Sequence, residues 1–181
     1  MHSIKEEIKK RILVLDGAMG TMIQQYKFSE EDYRGERFKA FKANQKGNND
    51  LLSLTQPKAI QTIHEKYLEA GADLIETNTF NANRISMADY ELEDIVYELN
   101  VEATRLAKEA TKKYNALTPD KLRFVVGSLG PTNKTLSLSP DVNNPAYRAV
   151  DFDFMVETYK EQASGLIDGG ADALLIETVF D

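Results

Sequence analysis

The chain has 181 residues, about one domain's worth, with 22 Lys and Arg against 29 Asp and Glu and so a net charge of −7. An acidic chain of pI near 5.0 is a poor candidate for clothing phosphates, which excludes nucleic acid as the expected partner. With no cysteine, and only His2 and His64 as histidines, it can assemble neither a disulfide framework nor a local zinc cluster.

Residues 3–11 read as a short amphipathic lead-in to an apolar run, Ile12, Leu13, Val14 and Leu15. That run is too short for a signal peptide or a membrane span, so a reduced, cytoplasmic location with no membrane partner is expected. Three further runs, over residues 73–76, 124–126 and 173–176, suit strands buried on both faces, as in parallel sheets. Helical patterns separate them. Thr55 is placed to cap a helix with Pro57 in its first turn, and Ile60, Ile63, Tyr67 and Leu68 share a face before Gly71 ends it. Ile95, Leu99, Ala103, Leu106 and Ala110 make a second stripe that fades near Tyr114. Met155, Tyr159, Ala163, Leu166 and Ile167 make a third, stopped by Gly169 and Gly170. The alternation predicts parallel βαβ units.

An internal echo supports this reading. Residues 70–77 (AGADLIET) return as 169–178 (GGADALLIET), each copy ending a helix on glycine, turning through Ala-Asp and entering a strand with an acid at its end. A barrel in which alternate strands share a layer produces such an echo, although an open sheet can as well. Because a (β/α)8 barrel takes about 250 residues, the expected fold is α/β, the N-terminal half (about four βα units) of a TIM barrel, truncated after strand four with its first and fourth strands left as open edges.

Ligands of parallel α/β folds sit beyond the carboxyl ends of the strands. There the sequence places Asp16, Gly17 and Ala18 after the first strand, Glu76 and Asn78 after the second, Ser128 after the third and Glu177 after the fourth. Asp16 can hold a ligand ammonium while the Gly17 and Ala18 amides hold its carboxylate. Glu177 would complete an amino-acid-sized zwitterion clamp, with Glu76, Asn78 and Ser128 as further substrate-side groups. Neither Gly17-x-x-Gly20 nor Gly127-x-x-Gly130 fits a dinucleotide or Walker pattern. His64 reads as a partly buried packing residue, the stretch 30–42 as an ordinary folded insert, and residues 46–52 as a second one. The loop from Ser128 to about Asp153, with three prolines, reads as a substrate-side or domain-contact lid. No Ser-His-Asp or Cys-His arrangement is available, so no catalytic residue is assigned.

Residues 15–21 (LDGAMGT) resemble the opening motif of homocysteine S-methyltransferase domains. The segments 34–38 (RGERF), 46–52 (KGNNDLL), 76–80 (ETNTF), 130–133 (GPTN), 139–142 (SPDV) and 176–181 (IETVFD) are similar to the cobalamin-dependent methionine synthases in particular. The resemblance runs from about Ile12 to Asp181. It implies that 1–181 is a homocysteine-binding domain, cut after strand four, of a methyltransferase whose other modules bind methylcobalamin, methyltetrahydrofolate and S-adenosylmethionine. It also implies a zinc ion that turns the homocysteine thiol, a poor nucleophile at its free pKa of about 8.5, into a thiolate that takes the methyl group to give methionine. By motif, Asp16 and Glu177 would contact the amino group of homocysteine, and the Gly17 and Ala18 amides its carboxylate. The family binds zinc through three cysteines on later strands, so the zinc ligands are expected outside this chain and the fragment alone is expected to be inactive. The alternatives are a cobalamin-independent homocysteine S-methyltransferase and a non-catalytic amino-acid-binding half-barrel.

Overall fold

The computed structural model describes residues 3–181; His2 lies outside the described residues. The element order is α1 (Ile4–Glu7), α2 (Met19–Gln24), α3 (Glu30–Arg34), α4 (Leu52–Thr55), α5 (Pro57–Ala70), β1 (Leu74–Glu76), α6 (Arg84–Met87), two 3-10 turns, α7 (Val96–Leu117), β2 (Phe124–Leu129), α8 (Phe152–Gly169) and β3 (Ala173–Ile176). The strands form one parallel sheet in the order β1-β2-β3, with Leu74 beside Phe124 and Ser128 beside Leu175. Each crossover runs through a helix, as parallel pairing requires. Among the described residues no helix is long and apolar enough to cross a membrane.

The expected first strand contributes a single parallel bridge, Leu15 to Leu74. The Asp73 and Leu74 amides both donate to the Val14 carbonyl, and the Val14 amide donates to the Asp73 carboxylate at 2.9 Å. A side chain takes the place of a backbone acceptor at the base, and the Asp16 carboxylate does the same for the Glu76 amide at the top, so one bridge lies between two side-chain caps. Ile12 is 89% exposed, since nothing among the described residues pairs with its outer side.

The central strand is the best buried. All six residues of β2 are buried, and on its helix side Val125 joins Ile75, Leu68, Ala72, Ala107 and Ala110 in one cluster. Side chains of this kind contribute roughly 1.5–3 kcal/mol each on burial. β3 departs from expectation, alternating half-buried and exposed residues, with Ile176 73% exposed. It has a neighbour on one side only.

Two helix boundaries also differ from the sequence reading. Thr55 closes α4 rather than capping α5; the cap position is Gln56, which makes no side-chain cap bond, while Pro57 takes the first turn and needs no amide partner there. Ile95 precedes α7 instead of lying in it, and α7 runs past Tyr114 to Leu117. Gly71 ends α5 at φ 112°, in the left-handed region that favours glycine. On α8 the buried residues are Thr158, Gln162, Gly165 and Leu166, and Ile167 points to solvent. The reason is close packing on α7: a methyl group on Gly165 would lie 2.8 Å from Asn100 Cβ, and one on Gly169 2.5 Å from Thr104 Cβ. Small residues mark the side of α8 that meets α7, while Leu166 of the expected stripe is fully buried against Gly127 of β2.

Candidate functional site

The carboxyl ends of the strands open into a cleft of about 350 Å³ lined by Asp16, Gly17, Ala18, Met19, Gly20, Glu76, Thr77, Asn78, Thr79, Phe80, Ser128 and Glu177. All seven residues that the sequence singles out therefore share one cavity, although they span more than 160 positions of the chain. Three carboxylates line it, and no Lys, Arg or His does.

Each carboxylate is held differently. Asp16 accepts the Glu76 amide at 3.2 Å on both oxygens, while its own amide donates to the Leu74 carbonyl at 3.0 Å. Burial, with the nearby Glu76 and Glu177 charges adding to it, pushes the Asp16 carboxyl up to about 7 against the pull of that amide bond. Burial and the Glu177 charge likewise push Glu76 up to about 7. Glu177 accepts a hydrogen bond from the Ser128 hydroxyl. A cluster of this kind favours a cation, because an ammonium relieves like-charge repulsion in a site of low polarity.

The loop after Leu15 is braced from α5. The Tyr67 hydroxyl donates to the Ala18 carbonyl at 3.2 Å, and a methyl group on Gly17 would sit 3.2 Å from the Tyr67 ring. The tip of β1 is more constrained. Thr77 and Thr79 share a hydroxyl–hydroxyl bond of 2.6 Å, Thr79 donates to the Ser128 carbonyl at 2.8 Å, and the Ser128 amide donates to Thr77 Oγ1 at 2.9 Å. Asn78 spends its amide nitrogen away from the cavity, on the Asn49 carbonyl at 2.8 Å and Ser53 Oγ at 3.2 Å. Met19, Gly20, Thr77, Thr79 and Phe80 fall in the segments 15–21 and 76–80 without a role assigned from the sequence, and the bracing Tyr67 reads there only as part of a helix stripe. Thr77 and Thr79, two positions apart just past a strand end, carry the one signal that could have marked them.

Residues 131–153 contribute nothing to the cleft lining, contrary to the expected substrate-side lid. They fold back on themselves: the Arg148 guanidinium donates to the Leu136, Ser137, Pro145 and Tyr147 carbonyls, and the Leu136 and Ser137 amides donate to the Asp181 carboxylate. His64 is fully rather than partly buried, with neither ring nitrogen partnered among the described residues, and desolvation pulls it down to about 4. It stands as a neutral core residue.

No group of three or more His, Cys, Asp or Glu among the described residues is arranged to hold a metal ion, and the sequence has no cysteine. The residues of this chain thus do not fit a zinc site.

The fold has known counterparts. The oxidized form of the homocysteine methyltransferase MmuM from Escherichia coli superposes with a TM-score of 0.71 at 24% identity, over 96% of this chain and 56% of that one. Its metallated form gives 0.72 at 22% identity, over 97% and 57%, and its apo form 0.61 at 22%, over 92% and 49%. The chain thus spans about half the length of these structures, and at such identities the likeness speaks for the α/β fold alone. The family model for homocysteine S-methyltransferase matches residues 13–181, nearly the whole sequence, and the chain belongs to that family.

Proposed function

We propose that this chain is the homocysteine-binding part of a methionine synthase, in which homocysteine takes a methyl group from methylcobalamin that 5-methyltetrahydrofolate recharges. Asp16 and Glu177 grip the ammonium of homocysteine, and the Gly17 and Ala18 amides receive its carboxylate. Glu76 and Ser128 act beside them, Ser128 by orienting Glu177. Asn78 shapes the wall, since its amide is already committed. The observation that carries the reading is the cation-free cleft that gathers carboxylates from three strand ends into a volume suited to one amino acid. The segments 34–38, 46–52 and 139–142 favour cobalamin as the methyl carrier. On this reading the zinc ligands and the cobalamin- and folate-binding modules lie outside the 181 residues, and the chain alone binds substrate without turning it over.

Isothermal titration of the 181-residue chain with L-homocysteine tests this. Binding is expected, with Asp16→Asn and Glu177→Gln each weakening it by about tenfold or more, the scale of a lost charge-assisted hydrogen bond. Unchanged affinity in both variants would overturn the clamp. A second reading, a cobalamin-independent homocysteine methyltransferase, draws on the likeness to MmuM. Methyl transfer by the full-length protein from a small methyl donor in place of methylcobalamin would favour it.

A further inference from the structure

The insert 45–53 does not line the cleft, yet it holds one of the most deeply buried carboxylates in the molecule. Asp50 is 4% exposed, and its Oδ1 accepts the amide of Asn81, 31 positions away, at 3.0 Å. Next to it, Asn49 accepts Asn78 Nδ2 on its carbonyl at 2.8 Å and the Tyr33 hydroxyl on Oδ1 at 2.7 Å. Asn78 also reaches Ser53 in α4. The insert therefore ties α3 and α4 to both ends of the stretch 78–81, which carries Thr79 and Phe80 into the cleft.

A carboxylate is a costly group to bury for one backbone amide, because each ionised oxygen gives up water. A plain turn would supply the same acceptor from a carbonyl. What Asp50 offers in addition is a stronger, charge-assisted bond to the outer end of a tip whose Thr77 and Thr79 are already tied to the sheet at Val126 and Ser128. We propose that Asp50 is a positioning residue for the ligand site: through the Asn81 amide it fixes the tip of β1, so that Thr79 and Phe80 stand at the cavity wall before ligand arrives. This rests on the amino-acid-binding reading of the cleft and adds to it a residue that touches no ligand.

The test uses the 181-residue chain and L-homocysteine, with hydrogen exchange of the ligand-free protein as a separate arm. Asp50→Ala is expected to raise exchange at residues 77–83 while leaving β2 and α7 protected, and to weaken homocysteine by about tenfold, the scale of one orphaned backbone donor. Asp50→Asn keeps an acceptor but not the charge and is expected to fall between the two, with exchange at residues 77–83 partly restored and homocysteine weakened by about threefold. Should the alanine variant not fold, Asp50→Ser, too short to reach the amide, takes its place. Unchanged exchange and affinity in Asp50→Ala overturn the proposal, as does a loss in Asp50→Asn equal to that in Asp50→Ala. If the unsubstituted chain binds no homocysteine, the functional reading fails by itself and the exchange arm alone decides: localized loss in Asp50→Ala sustains the brace and unchanged exchange overturns it.

Discussion

The two copies of the Gly-Ala-Asp…Glu-Thr segment build the same joint at the base of the sheet and different ones at its top. At the base, the Asp73 amide donates to the Val14 carbonyl and the Asp73 carboxylate accepts the Val14 amide; Asp172 repeats both bonds with Val125. Each aspartate thus pins the start of its strand to the strand before it. The copies diverge in burial: the Asp73 side chain is 3% exposed, flanked by Arg11 and Lys121, whereas that of Asp172 is 28% exposed and meets Lys108 alone. At the top, Glu177 is tied to Ser128, while Glu76 faces the cleft with its amide on Asp16. A repeated aspartate is architecture here, and the repeated glutamate belongs to the cavity.

That contrast can be broken most sharply at its base. Asp73→Ala should cost about 3 kcal/mol, because it orphans the Val14 amide and takes the nearby carboxylate from Lys121 and the buried Arg123, leaving Arg11 with Glu7 alone. Asp172→Ala should cost about 1–2 kcal/mol, mainly the orphaned amide of buried Val125. Urea denaturation of both variants measures the difference, and equal losses would show that burial does not separate the copies.

A smaller effect is expected at the top. Asp16 and Glu76 titrate at about 7 in the folded chain against reference values of 3.8 and 4.5, so between about pH 4 and 7 the folded state holds more protons than the unfolded one. Stability contributed by these groups therefore falls as pH rises through that window. Glu76→Gln should flatten the decline, and homocysteine affinity should rise from pH 6 to 8 as the carboxyls ionise. A stability profile unchanged by the substitution would remove Glu76 from the account. The smallest effect belongs to the open side of β3. Ile176→Lys should leave stability within about 0.5 kcal/mol while lowering self-association in size-exclusion chromatography, since Ile176 is 73% exposed on an unpaired edge.

Much of this was legible from residue order because glycine and acids obey local rules. Gly71 and Gly170 end their helices in the left-handed region, and the acids after each apolar run fall at strand ends by the polarity of βα units. What local rules could not supply was anything decided by a distant partner. The residues 12–15 read as a strand, but only one bridge forms, flanked by the Asp73 carboxylate on the Val14 amide and the Asp16 carboxylate on the Glu76 amide. Ile167 reads as core, but α8 turns its glycines inward because α7 lies too close for anything larger. Asn78 reads as a further substrate-side group and does line the cleft, but its amide nitrogen is held by an insert that no periodicity links to it.

The glycines of α8 carry a consequence for substrate fit. Helix α8 leads through Gly170 directly into β3 and so to Glu177, and its seating on α7 depends on hydrogen atoms where other residues would carry methyls. A single added carbon at position 165 or 169 would meet the backbone carbonyls of Tyr97 or Val101 at 2.8 Å, so α7 and α8 would have to part. Because β3 and Glu177 follow α8 directly, the fit of the cleft is expected to answer to two hydrogen atoms on the far side of the sheet.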